Sequence, residues 1–218
     1  MKNNDIKLKF VENIKLAYMT PFAIAINSIA LVIYSMMFFP ADLINKLPKY
    51  MYVYLVFWVV ITIVTIAQEK RKKVRTSKVS VFRYILVTIL CGYSSTIAIA
   101  SVYVFGAAIN GYDVFNYWLM IIGAIFLSWL GLHIMLCSEF EIIPAMSNTF
   151  YKVLGIVIKL ISIGLLIYLS RIVPATEEEN DFIWLSIIAV LCAELLIGRS
   201  YLNLSLYLDP EEISTNEK

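Results

Sequence analysis

Two charged residues stand where a hydrocarbon environment should exclude them. Lys159 and Glu194 each lie about seven residues inside a long apolar run, reckoned from the same end of the molecule. A lone charge at such depth costs on the order of 2.5 to 3.5 kcal/mol. Opposite charges at matching depth on consecutive antiparallel helices can offset that cost, so the spacing predicts a buried Lys159 and Glu194 pair. Their neighbours fit an inward location. Gly155, Lys159 and Ser162 share one helical face, as do Val190, Glu194 and Gly198 with Ala193 adjoining, and small residues permit close helix approach. Two alternatives use the same residues differently. Lys159 could snorkel to the inner headgroups and leave Glu194 neutral, or both could serve a transport pathway.

A second set of polar residues sits near the middle of apolar runs. Thr20, Ala23, Asn27, Ala30 and Tyr34 follow helical spacing, and a later run carries Gly92, Ser94, Ser95, Thr96, Ala98, Ala100 and Ser101. Asn27 and the Ser94, Ser95 and Thr96 group fall close to the expected midplane. The prediction is that these two helices are central and tightly packed, with interhelical hydrogen bonds between them. A substrate path along the same groups is the alternative.

Other reactive residue types are sparse. His133 is the single histidine, and the chain has no HExxH pair, no paired intramembrane aspartates and no P-loop. The GYSS stretch at Gly92 to Ser95 lacks the GxSxG spacing of a nucleophile elbow. Cys91, Cys137 and Cys192 show no CxxC spacing and are odd in number, against both a disulfide framework and a zinc site. The expectation is therefore a protein that is not an enzyme, with no catalytic residue, metal or cofactor, with His133 as a polar helix-contact residue and Trp129 in packing.

The strongest charged feature is QEKRKKVRTSKVSVFR. Lys70, Arg71, Lys72, Lys73, Arg75, Lys78 and Arg83 against Glu69 give it a local charge of +6. Anionic headgroups attract such clusters by about 1 kcal/mol per basic residue near the surface, so lipid contact and orientation are one use. Docking of an acidic cytoplasmic protein is another. The stretch lacks interleaved aromatics, which argues against sequence-specific nucleic-acid binding. A neighbouring stretch, SEFEIIPAMSNTFYK, offers Glu139 and Glu141, and ATEEEND reads as a solvated acidic loop on the other side.

The elements that must hold these groups follow from composition. With 61% hydrophobic and 16% charged residues and a mean hydropathy of +0.80, the chain is too apolar for one soluble core of 218 residues. Six apolar runs, 17–39, 51–68, 84–109, 117–137, 153–170 and 183–201, approach the roughly 20 residues that cross a bilayer as a helix. They are continuous rather than alternating, which favours helices over barrel strands. The predicted fold is all-α, a polytopic transmembrane bundle of six spans with no soluble domain.

Residues 1–16 form a leader in which Ile6, Phe10, Val11 and Ile14 suggest a short amphipathic helix on the inner leaflet, and 202–218 form a polar tail. Fourteen Lys and Arg fall on the side of both termini against three (Lys46, Lys49 and Arg171) on the other, with Lys159 inside a span. That asymmetry puts both termini in the cytoplasm of a bacterial inner membrane. Tyr50, Tyr52, Tyr54, Tyr117, Trp118, Phe182 and Trp184 at the outer ends read as an interfacial belt.

Two functional classes follow. The first is a non-enzymatic membrane subunit, a sensor, anchor or immunity-type component such as a two-gene bacterial defence system would use, recruiting a cytoplasmic protein through its inner loops. The second is a permease or carrier subunit using the midplane polar residues. A second copy of the chain is a further candidate partner.

Overall fold

Long apolar stretches without alternation leave helices as the way to satisfy backbone groups within one segment, and in the computed structural model of the chain the regular elements among the described residues are helices. It describes residues 2–15, 18–38, 46–69, 77–174 and 177–208. Seven α-helices occur in it: α1 (Lys2–Lys15), α2 (Met19–Phe38), α3 (Lys49–Glu69), α4 (Lys78–Ile109), α5 (Phe115–Glu139), α6 (Thr149–Ile172) and α7 (Glu177–Leu208). A single 3-10 turn, Pro144–Met146, joins α5 to α6, and the described residues contain no strand. The six helices α2 to α7 are long and apolar enough to cross a membrane.

Helix α4 is the core of the bundle. From Cys91 to Ala108 its residues are buried, Ile97 alone being half-buried, because glycine, alanine, serine and threonine leave room for neighbours on every side. It packs chiefly on α7 and α2, and also on α3 and α5. The expectation of a central α4 holds. That of a central α2 does not: only its predicted face, Thr20, Ala23, Asn27, Ala30 and Tyr34, is buried, while Ile24, Ile29, Leu31, Val32 and Met36 are exposed. A single stripe of small residues suffices to dock one face, and the large aliphatic residues between them point away from the bundle.

The most extensive contact is between α5 and α6. At their crossing a Cβ on Gly131 would lie 2.7 Å from the Gly155 carbonyl oxygen, and one on Gly155 would lie 2.6 Å from the Gly131 carbonyl oxygen. Backbone meets backbone there, which only glycine at both positions allows. The Ser162 hydroxyl then reaches the Ala124 carbonyl at 2.7 Å.

Several boundaries differ from the sequence expectation. Helix α7 starts at Glu177, so the acidic stretch contributes its first turn rather than a loop, and it runs to Leu208, taking in residues placed in the tail. Acidic residues at a helix N-terminus suit the dipole. The leader is helical, as its periodicity suggested, but Val11 and Ile14 are buried and α1 packs against α7 and α4. Those two residues of its apolar face are covered by protein. Arg199 of α7 secures the entry to α2, with its guanidinium carbon 3.5 Å from the Tyr18 ring centre and Nη2 donating to the Tyr18 hydroxyl at 2.7 Å.

The outer-end aromatics also do more than line an interface. Tyr50 packs on Phe115 and Trp118 with ring centres 4.8 Å apart in each case. Trp118 donates its indole N–H to Ser101 at 3.0 Å, and the Tyr54 hydroxyl donates to the Ser94 carbonyl at 2.9 Å. Tyr54 and Trp118 are therefore interior groups that join α3 and α5 to α4.

Candidate functional site, a buried polar cluster between α4, α5, α6 and α7

Glu194 lies on the face of α7 formed by Val190, Ala193 and Ile197, all buried, and its side chain is 1% exposed. Lys159 of α6 brings Nζ to 2.6 Å from Glu194 Oε2, with a side chain 23% exposed. Ser128 of α5 donates from Oγ to Glu194 Oε1 at 2.6 Å. Three helices thus converge on one carboxyl group. The predicted pair is formed, and Ser128 is a third member that charge-depth matching did not indicate.

Further toward the end where α7 finishes, His133 Nδ1 meets the Tyr201 hydroxyl at 2.6 Å. Seven residues separate Glu194 from Tyr201, two helical turns and about 10 Å along the same face. Tyr93 of α4 and Trp129 of α5 fill the interval. The Trp129 ring centre is 5.1 Å from that of His133 and 6.1 Å from that of Tyr93, and Tyr93 lies within electrostatic reach of Glu194 and Tyr201.

Four buried polar atoms in this interval lack a hydrogen-bond partner in the protein: Tyr93 Oη, Trp129 Nε1, His133 Nε2 and Glu194 Oε2. The last keeps its ion-pair contact with Lys159 Nζ at 2.6 Å. An unsatisfied buried polar group costs about 1 to 3 kcal/mol. His133, expected as a polar helix-contact residue, makes such a contact with Tyr201 of α7, and Trp129, expected in packing, lies beside it. Their spacing of four on α5, and of seven between Glu194 and Tyr201 on α7, are the signals that could have found the cluster.

The other predicted residues are placed as follows. Asn27 bridges α2 and α3, donating to Thr62 Oγ1 at 3.1 Å and accepting from the Trp58 indole at 3.0 Å. Ser95 and Thr96 are buried but donate to carbonyls of their own helix, Cys91 at 2.8 Å and Tyr93 at 2.8 Å. The interhelical bonds expected of them are absent because each hydroxyl is satisfied one turn back. Ser94 Oγ is buried without a hydrogen-bond partner.

Lys70, Arg71, Lys72, Lys73 and Arg75 lie outside the described residues, whereas Lys78 and Arg83 are exposed near the start of α4. Lys152 pairs with Glu139 at 2.8 Å, and Ser147 donates to Glu141 at 3.0 Å, so these carboxylates already have partners beside them. Gln68 at the end of α3 donates to the Tyr84 carbonyl at 3.2 Å, which sets that end of α3 beside the start of α4. Together with the Arg199 and Tyr18 contact, it puts Lys78, Arg83, Lys152 and Arg199 at one end of the bundle. Lys46, Lys49 and Arg171 lie at the other. Among the described residues no group of three His, Cys, Asp or Glu could hold a metal ion.

These features define an all-helical protein with six helices long and apolar enough to cross a membrane and with an ion pair buried among them. The chain belongs to the family described as a domain of unknown function, DUF5079, which matches residues 8–217. No curated protein and no solved structure matches it.

Proposed function

We propose that the chain is a multi-pass integral protein of the bacterial cytoplasmic membrane, with both termini in the cytoplasm. It acts as a non-enzymatic subunit, a sensor, anchor or immunity-type component that recruits a cytoplasmic protein. The observation that supports this reading is the run of seven Lys and Arg between Lys70 and Arg83, among fourteen of the eighteen that a six-span arrangement with both termini on one side would put together. The four lysines of the leader, Lys2, Lys7, Lys9 and Lys15, already suffice to bias the first span inward. The surplus is suited to capturing an acidic partner or anionic headgroups, both of which charge steers at long range.

Replacing Lys70, Arg71, Lys72 and Lys73 by Gln tests this. Insertion should be unchanged, while a co-purifying cytoplasmic protein should be lost, and raising salt on the wild type should mimic that loss because screening acts within about 8 Å at physiological ionic strength. The same associates on both proteins at all salt concentrations would reduce the loop to an orientation signal.

A permease or carrier subunit is the second reading, favoured by the polar cluster around Glu194. Uptake of a solute into vesicles holding the protein, abolished by Glu194→Gln, would favour it over the first.

A further inference from the structure

At the end of the bundle away from Lys78 and Arg83, the start of α3 and the turn between α4 and α5 together line an open groove of about 800 Å³. That lies within the range of small-molecule sites, roughly 300 to 1,000 Å³. Lys46, Pro48 and Tyr50 contribute from the α3 side, and Tyr112, Asp113 and Phe115 from the turn and the start of α5. The aromatic wall is fixed by packing. The Tyr50 ring centre lies 4.8 Å from those of Phe115 and Trp118, and Trp118 is held in turn by Ser101. Gly111 ends α4 with a φ of 77°, and a Cβ there would meet nothing within 4 Å, so the groove is open beside the turn. The turn is tied by the Tyr112 N–H to the Ala107 carbonyl at 2.9 Å and by the Phe115 N–H to Asp113 Oδ1 at 3.1 Å.

The groove carries one charge of each sign. Lys46 and Asp113 are both exposed, and neither enters an ion pair among the described residues. Asp113 also lies within electrostatic reach of the Tyr50 hydroxyl. Opposite charges that line one groove without meeting suit a ligand carrying both, each held by a charge-assisted contact. An anion alone would be repelled by Asp113, and a cation alone by Lys46. The rings of Tyr50, Tyr112 and Phe115 suit an apolar body and offer their faces to an ammonium group.

We propose that this groove binds a small zwitterion with an apolar body, a free aromatic amino acid or a short apolar peptide. Its carboxylate sits on Lys46, its ammonium on Asp113 and its apolar part on Tyr50, Tyr112 and Phe115. Helix α3 runs from the groove to Glu69, where the basic segment begins. On the sensor reading above, the groove is therefore the input; binding itself does not rest on that reading.

Full-length protein in lipid nanodiscs is titrated with radiolabelled L-phenylalanine and with the dipeptide leucyl-phenylalanine. At least one should bind saturably, and Asp113→Asn and Lys46→Gln should each weaken it by about tenfold or more, the usual loss for one charge-assisted contact. The asparagine oxygen can still accept from Phe115, so the turn is kept. Lys78→Gln, which removes a cation at the other end, should leave binding unchanged. Phenylpropionate and phenethylamine, which keep the ring but only one charge, should compete less well by a similar factor. Saturable binding of neither probe overturns the proposal. So does binding that both groove substitutions leave unchanged, or equal competition by either singly charged analogue.

Discussion

A carboxyl group 1% exposed among aliphatic side chains is held there by its neighbours, since leaving it unpartnered would cost several kcal/mol. Glu194 has two close ones, Lys159 on one oxygen and Ser128 on the other. The two ends of the ion pair differ, because the Lys159 side chain retains 23% exposure and can turn elsewhere. Lys159→Met should therefore destabilise by about 3 kcal/mol, and Glu194→Gln by less, since the amide can still accept from Ser128. The double variant should be less destabilised than Lys159→Met alone, because it leaves no stranded carboxyl group. A thermal-stability cycle of the three variants measures the coupling, and purely additive effects would remove the pair as a structural unit. Matching depth made this pair legible in the sequence. Ser128, Tyr93 and the partner of His133 were not, because which faces of α4 and α5 meet α7 depends on packing angles that a single chain of letters does not encode.

At the scale of helices, close approach is decided by a few atoms. Gly131 and Gly155 let α5 and α6 touch through their backbones, and a Cβ on either would fall 2.6 to 2.9 Å from backbone atoms that cannot swing aside. Gly131→Ala or Gly155→Ala should each cost about 1 to 3 kcal/mol, the usual range for overpacking. Gly123→Ala and Gly164→Ala, on the same two helices with nothing within 4 Å of the added carbon, should stay within about 0.5 kcal/mol of wild type. Denaturation midpoints in mild detergent compare the four, and equal losses in all of them would mean that the crossing is not the sensitive element. The position of every apolar helix was legible from its run of residues. The burial of α2 was over-read, since a stripe of small residues looks the same on a helix buried all round and on one docked by a single face. The α7 start was under-read, because acidic residues look like loop until their place at a helix N-terminus is known.

For the whole molecule the deciding quantity is the sidedness of charge. Helices α2 to α7 can alternate in direction only if each connection lies on the side opposite the last, and the contacts agree: the ends of α3, α5 and α7 lie with the starts of α4 and α6, and Tyr103 of α4 reaches the Pro174 carbonyl beyond the end of α6 at 3.4 Å. On the proposed reading, the end that faces the cytoplasm is set by the distribution of Lys and Arg, fourteen to three, because short positively charged connections resist translocation. A reporter active only in the cytoplasm should give signal when fused after Lys73 or at Lys218 and none when fused at Gly111, in the turn between α4 and α5. Replacing the cations from Lys70 to Lys78 with Gln should leave this pattern intact, since Lys2, Lys7, Lys9 and Lys15 still hold the first span inward. Removing both sets should produce mixed orientation. Signal at Gly111 from the unaltered chain would reverse the molecule, carry the basic loop to the outside, and leave a cytoplasmic partner nothing to bind.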